Sequence, residues 1–175
     1  MTAQPAAIRR LHTVADREIV QLAELLIDSV DGGATVTFLH PLSMERATAF
    51  WRTVADGAAK GTRALLVAED TQGICGTVQV LLEMPENQPH RGEIAKLLVH
   101  RRARRRGLAE ALMRAAESLA AELSKTLLVL DTVDGGDAER LYTRLGWQRV
   151  GVIPAFAVSP GGEQTGAAIF YKAIG

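Results

Sequence analysis

The sequence predicts an α/β fold with a mixed central sheet of about six or seven strands flanked by about four helices. Three features carry this expectation. Short apolar runs alternate with stretches whose apolar residues recur at helical spacing. Two of the runs, Arg63–Glu69 and Ile74–Leu82, are joined by Asp70-Thr-Gln-Gly73, a hairpin turn signal, so part of the sheet is antiparallel. Another run, Thr126–Asp131, follows a long helix and is apolar on both faces, as expected of a central parallel strand.

In chain order, Ile8–Leu11 is a short first strand. Thr13-x-x-Asp16 resembles a capping box that opens a helix. Ile19, Leu22, Ala23, Leu26 and Val30 then repeat at helical intervals until Asp31-Gly32-Gly33 ends it. A loop runs to Pro41. Ser43 caps a second helix lasting to about Lys60, where Gly61 stops it. After the hairpin, Met84–Arg91 is a loop with two prolines and Gly92–Val99 is a strand. From Gly107 to about Leu123 an amphipathic helix carries Leu108, Leu112, Ala116, Leu119 and Leu123 on one stripe. Asp137–Leu145 is a shorter helix with Gly146 as its C-cap. Trp147–Gly151 and Ala168–Ile174 close the sheet, with Pro160-Gly161-Gly162 turning between them. No internal repeat or linker is visible, so residues 1–175 read as one domain.

Composition narrows the function classes. The chain is 47% hydrophobic and 23% charged, ordinary for a soluble globular protein. Its 20 basic and 20 acidic residues cancel, so the whole molecule is no polyanion binder. Basic charge is local instead: five arginines fall within Arg101–Arg106. A nucleic-acid binder would spread its basic residues over a wider face, so no nucleic-acid partner is expected. The single cysteine, Cys75, excludes an intrachain disulfide and a cysteine metal cluster, and reads as a small buried residue. His12, His40, His90 and His100 are scattered, and no metal site is expected. Trp51 and Trp147 read as packing residues. No apolar segment is long enough to cross a bilayer and the N-terminus lacks a charged-then-apolar leader, so a cytoplasmic location without a membrane partner is expected.

The most informative segment is the arginine-rich turn. An apolar strand ends at Val99, and a helix starts at once behind Arg104-x-x-Gly107-x-Ala109. The first turn of a helix has unpaired N–H donors and a partial positive charge. Gly107 lets a ligand approach the main chain closely, and Ala109 keeps the next contact small. A polyphosphate fits such a turn. Downstream, Glu139-Arg-Leu-Tyr142-Thr-Arg-Leu-Gly146-Trp147 puts a tyrosine on a helix that ends at Leu-Gly-aromatic.

These two motifs, in this order, resemble those of the GNAT superfamily of N-acetyltransferases, whose Arg/Gln-x-x-Gly-x-Gly/Ala loop binds the pyrophosphate of acetyl-CoA. Within that superfamily, the stretch Ser29-Val-Asp-Gly32-Gly33-Ala34-Thr-Val-Thr-Phe38 looks like the helix-loop of the tabtoxin-resistance acetyltransferases. The strands Glu93-Ile-Ala-Lys96-Leu97 and Leu128-Val-Leu-Asp131-Thr132 look like theirs too, and the likeness runs on to Ile169-Phe-Tyr-Lys172. One position departs: Arg101 stands where this superfamily commonly has proline, which implies a looser turn.

The resemblance implies the GNAT fold, acetyl-CoA as co-substrate, no metal, and direct acetyl transfer from CoA sulfur to an amine. Such an amine arrives largely as an ammonium with a pKa near ~10, so a base must take a proton, and the departing thiolate benefits from an acid. Glu93 lies six residues before Val99, roughly 20 Å along an extended strand, which is about the reach of a pantetheine arm. Glu93 is therefore a candidate for catalysis or acceptor binding; its alternative is a salt-bridge partner for Arg91. Asp131 ends the neighbouring strand, where open α/β sheets bind ligands, or else caps the segment after it. The resemblance implies that both acids surround the acceptor amine. It matches Tyr142 to the tyrosine that protonates the CoA sulfur; on its own, Tyr142 also reads as an apolar-face aromatic.

For the co-substrate, the resemblance implies backbone pairing of the pantetheine along Leu97, Leu98 and Val99, as in strand addition. It places the pyrophosphate on Arg104, Arg105, Arg106, Gly107, Leu108 and Ala109, with Tyr142 beside the arm. Gly32 and Gly33 either line the acceptor site or form an ordinary helix end. The leading expectation is an N-acetyltransferase acting on the primary amine of a small molecule, an amino-acid-like toxin or antibiotic being one candidate. The alternatives are acetylation of protein N-termini or lysines, and a non-catalytic acyl-CoA-binding regulator. The oligomeric state is left open, a homodimer included.

Overall fold

A computed structural model describes residues 6–175. In chain order the elements are β1 (Ala7–Leu11), α1 (Asp16–Asp31), α2 (Met44–Lys60), β2 (Arg63–Asp70), β3 (Gly73–Leu81), β4 (Arg91–Val99) and a 3-10 turn (Arg101–Ala103). They continue as α3 (Leu108–Glu122), β5 (Leu127–Val133), α4 (Asp137–Arg144), β6 (Gln148–Val158) and β7 (Gln164–Ala173). This is the expected mixed α/β arrangement. Most boundaries follow their local signals. The Ser43 hydroxyl accepts from Arg46 N at 3.2 Å to start α2, and Gly61, at φ +75°, ends it. In the β2–β3 turn the Asp70 carboxylate accepts from Gln72 N at 2.9 Å.

Four expectations are corrected. Thr13 does not cap α1: the N-cap is Ala15, whose N–H donates to Glu18 Oε2 at 2.8 Å, so the acid three residues in does the capping. On α3 the buried stripe is Leu108, Leu112, Met113, Ala116 and Ala120, whereas Leu123 is exposed: the helix ends at Glu122, and Leu123 is its C-cap residue, beyond the packed turns. The last two strands are longer than their apolar runs, because a register shift between Ile153 and Ala157 absorbs Pro154 and lets β6 and β7 continue pairing. β5 is not apolar on two buried faces: Leu128 and Leu130 are buried, but Leu127 and Val129 are only partly so.

The sheet order is β1-β2-β3-β4-β5-β7-β6. Every neighbouring pair is antiparallel except β4 and β5, which are parallel. Alternation along β2 explains why its run Ala64–Ala68 is apolar without a break. Ala64, Leu66 and Ala68 face a core shared with α3 and α4, while Leu65 and Val67 face one shared with α1 and α2. The first core is built around Leu112, Met113, Leu128 and Phe170, the second around Leu22, Leu25, Trp51 and Val54. The strand residues of the second core come from β1 to β4 only. On that side β5 has no comparable cover, and this is why half of its face stays accessible. Cys75 is fully buried, as expected of a small packing residue.

Phe170 sits on β7 with no exposed surface and touches Tyr142 at 5.8 Å between ring centroids. Truncating it opens a cavity under the site. Phe170→Ala is expected to cost about 3–5 kcal/mol of unfolding free energy, read as a lower denaturation midpoint. A shift corresponding to under about 1 kcal/mol would show that this core does not carry the sheet.

Candidate active site

β4 and β5 stay paired for only three residue pairs, Arg91 with Leu127, Gly92 with Leu128 and Glu93 with Val129. Beyond that point the two strands part, and a cavity of about 1080 Å³ opens between them. Where they part, β4 also carries a bulge: Thr77 faces Leu98 and Gln79 faces Ala95, so Lys96 and Leu97 together oppose Val78. Lys96 takes φ +53° to make this bulge. The extra residue swaps the faces of the strand. Ile94 belongs to the α3–α4 core, but Leu98, four residues on, belongs to the α1–α2 core.

At one end of the cavity lies the start of α3. Gly107 has φ +75°, and a Cβ there would find no heavy atom within 4 Å, so the space above the main chain is open. The first helical N–H to reach a carbonyl is that of Ala111, which donates to Gly107 O at 3.0 Å; those of Leu108, Ala109 and Glu110 remain for a ligand. Arg104 and Arg105 line this end, and Arg104 Nε donates to Val99 O at 3.4 Å. Open space, free N–H groups and two exposed guanidinium groups fit the pyrophosphate of an acyl-CoA.

The arginine run divides into two jobs. Arg101 and Arg102 fasten the turn: Arg101 pairs with Asp28 on α1 at 2.7 Å, and Arg102 with Asp70 in the β2–β3 turn at 2.6 Å. Arg101 also donates its backbone N–H to Asp28 Oδ2 at 2.9 Å. Proline has no N–H and would lose this bond. The turn is therefore not looser for having arginine at 101; a 3-10 turn and the Asp28 clamp hold it. Arg106 is exposed and does not line the cavity.

At the other end, the cavity is lined by Gly32, Gly33 and the loop to Thr37, by Lys96, by Asp131 and by Tyr142. Leu97, Leu98, Val99, Leu108 and Ala109 also border it. Tyr142 is 5% exposed and packs against Trp147 and Phe170. Burial, with the nearby Asp131 charge, pushes its phenol up to about 12, so it keeps its proton at neutral pH. Glu93 is set apart. Its carboxylate pairs with Arg91 at 2.5 Å, and it lines a small neighbouring recess of about 120 Å³ with Val129 and Asp131. Asp131 borders both spaces.

The two faces of the sheet carry different groups. Leu128 and Leu130 point to the α3–α4 side, so Val129 and Asp131 point to the other, as does Glu93, which shares their recess. Tyr142 stands on the α4 side. The parted strands thus put a neutral phenol on one face and the Asp131 carboxylate on the opposite face of a single opening, with Glu93 in the recess beside it. Sequence reasoning assigned no role to Lys96, Thr37 or Phe156, which also line the cavity. A lysine inside the otherwise apolar run Ile94–Val99 was a usable signal. Phe156 gave none, because only the β6 bulge turns it to the cavity.

The family model for the acetyltransferase (GNAT) family matches residues 32–147, which include the parted strands, the α3 start and Tyr142. This chain belongs to the GNAT acetyltransferase family, and its class of activity is acetyl-CoA-dependent N-acetyl transfer. Solved structures share the fold. A ribosomal-protein-alanine N-acetyltransferase from Brucella melitensis aligns with a TM-score of 0.80 at 18% identity, over 96% of this chain and 99% of that one. A phosphinothricin acetyltransferase from Sinorhizobium meliloti, solved with acetyl-CoA, gives 0.78 at 16%, over 98% and 90%. The Salmonella typhimurium protein yncA, solved with its cofactor acetyl-CoA, also gives 0.78 at 16%, over 98% and 95%. Among the described residues no cluster of His, Cys, Asp or Glu could hold a metal ion, and no helix is long and apolar enough to cross a membrane.

The Asp28 clamp makes turn stability depend on pH. Burial works against the Asp28 charge, but the Arg101 backbone and side-chain bonds, with His100 nearby, outweigh it and hold the carboxyl below its ordinary value. Its stabilisation is complete above the unfolded pKa of about 4 and is lost as pH falls through the folded pKa. Asp28→Asn should lower the melting temperature at pH 7 and flatten its decline below pH 5. Identical acid slopes for parent and variant would remove Asp28 from the clamp.

Proposed function

We propose that this protein acetylates the primary amine of a small molecule by direct transfer from acetyl-CoA. The reading takes residues 1–175 as one acetyltransferase domain acting in the cytoplasm, and resistance to an amine toxin or antibiotic as one role. The observation that carries it is the opening between β4 and β5, which joins the phosphate-fitting start of α3 to Asp131 and Tyr142 in one cavity. In this reading the main-chain groups that β4 leaves unpaired beyond Glu93, along Leu97 to Val99, bind the pantetheine arm like an added strand. Asp131, with Glu93 beside it, attracts the acceptor ammonium and takes its proton. Tyr142 donates from the opposite face to the departing sulfur. A non-catalytic acyl-CoA binder would need neither the protonated phenol nor the acids opposite it.

The test is CoA release from acetyl-CoA over a panel of small amines, peptides and lysine-containing proteins. Turnover confined to peptides or proteins would favour the alternative acceptor class, and turnover with none would favour a binder. Gly107→Val puts a side chain into the open space above the α3 start, and calorimetry should show CoA affinity falling at least tenfold. Unchanged affinity would remove the phosphate reading. Tyr142→Phe keeps the ring packing and deletes the donor. Its kcat should fall roughly 10- to 1000-fold, with little change in the KM for acetyl-CoA. Glu93→Gln and Asp131→Asn should each depress turnover with CoA binding intact. If the folded double variant works at the parent rate, both acids are structural.

The reading includes a homodimer through β6. This edge strand leaves Val150, Val152, Ile153 and Val158 exposed, an apolar edge of the kind that pairs. Sedimentation should show a dimer that Val152→Lys weakens; a monomer at every concentration would overturn it.

A further inference from the structure

Among the described residues, Lys96 is a cation that lines the cavity beside Asp131 and the loop to Thr37, and the acetyl-transfer scheme leaves it without a task. It sits at the β4 bulge in a left-handed conformation costly for any side chain other than glycine. A bulge in that place re-aims the side chain and is held by the sheet around it. The ammonium is carried to the α1–α2 side, where Nζ donates to Thr37 Oγ1 at 2.8 Å and lies 5.8 Å from the Phe50 ring centroid. Its pKa is lowered by burial, opposed by Asp131 acting at a distance and not through a hydrogen bond. The lysine is thus a half-buried donor with two N–H groups to spare, opening on a cavity and paired with no carboxylate among the described residues. Unpaired buried charge is costly unless something completes it.

Asp131 lines the same cavity on the same face of the sheet. A cation and an anion that share a cavity without bonding to each other are complementary to a ligand that carries both charges in reverse. We infer that Lys96 and Asp131 form a two-point site for an acceptor that carries a carboxylate as well as its amine, with Lys96 receiving the carboxylate and Asp131 the amine. The acceptor is then a free amino acid or an amino-acid-like molecule, not a simple amine or polyamine, whose second cation Lys96 would repel. The Thr37 bond fixes the ammonium at the loop that follows Gly33, so loop and lysine together set the distance between the two charges. This inference rests on the amine-acetyltransferase reading above and narrows it.

The experiment pairs acids with their neutral analogues. Standard L-amino acids, β-alanine and γ-aminobutyrate are each assayed beside the corresponding carboxamide, with simple alkylamines as a third group, by CoA release. For at least one pair the parent should prefer the acid by about 10- to 100-fold in kcat/KM, the worth of a hydrogen bond to a charged group. Lys96→Met retains the stem over Phe50 and removes the charge. It should bring the acid-to-amide ratio to within about twofold of unity, mainly through the acceptor KM. Lys96→Arg should keep a preference for the acid. A role confined to folding would change both substrates alike and leave the ratio intact, which overturns the inference. Should Lys96→Met not fold, the parent ratio and Lys96→Arg still decide. Amides or alkylamines accepted as well as acids would sink the two-point site and leave amine acetylation standing. No turnover of any amine in any group would sink both.

Discussion

The organising constraint is that β4 and β5 run parallel and can stay paired for only three residues. An antiparallel neighbour on each outer side, β3 for β4 and β7 for β5, pulls the two strands along different directions once the shared register ends at Glu93 and Val129. Main-chain donors and acceptors beyond that point have lost their strand partner. Such groups are costly to bury unsatisfied, so the opening remains accessible. The bulge at Lys96 belongs to the same geometry, since it absorbs the change of direction along β4 and inverts which face each later residue meets. Leu97 and Val99 therefore join the α3–α4 side while Leu98 joins the α1–α2 side.

The opening gives the site its two-sidedness. Chemistry that moves an acyl group needs a proton taken on one side of the carbonyl and another given on the other. A continuous sheet would separate those tasks by a wall of paired backbone. Here α4 packs Tyr142 onto one face with the phenol protonated, and the parity of β5 carries Asp131 to the opposite face. Trp147 and Phe170 brace the tyrosine ring, so the core beneath the site is also what aims it.

The arginine-rich turn shows how composition and use diverge. Read as charge, residues 101–106 form one basic patch. In the fold two of its arginines are tied to acids from distant elements, Asp28 and Asp70, and these ties fix where α3 begins. Asp28 also anchors the end of α1, next to the Gly32-Gly33 loop. The phosphate-fitting end and the Gly32-Gly33 loop of the cavity are thereby held by one residue, through its carboxylate at the turn and its backbone carbonyl, which accepts from Gly32 N, at the loop.

Much of this was legible in the sequence. Element order followed from apolar periodicity and from turn and cap residues such as Ser43, Gly61 and Gly73, because these effects act within a few residues of chain. The Gly107 turn was legible for the same reason: a helix start behind a strand is a local event, and so is a tyrosine one turn before Leu145-Gly146. What the sequence could not show depends on contacts between distant segments. Thr13 looked like a cap until Glu18 reached Ala15; β6 looked short until β7 paired across its bulge. Only tertiary structure decided that Lys96 faces the α1–α2 side, since a single bulged residue reverses strand parity and nothing in the residues 93–99 marks it. Only tertiary structure parted β4 from β5, set Asp131 opposite Tyr142, and divided the arginines between clamp and cavity, because each depends on which strands become neighbours and where their pairing ends.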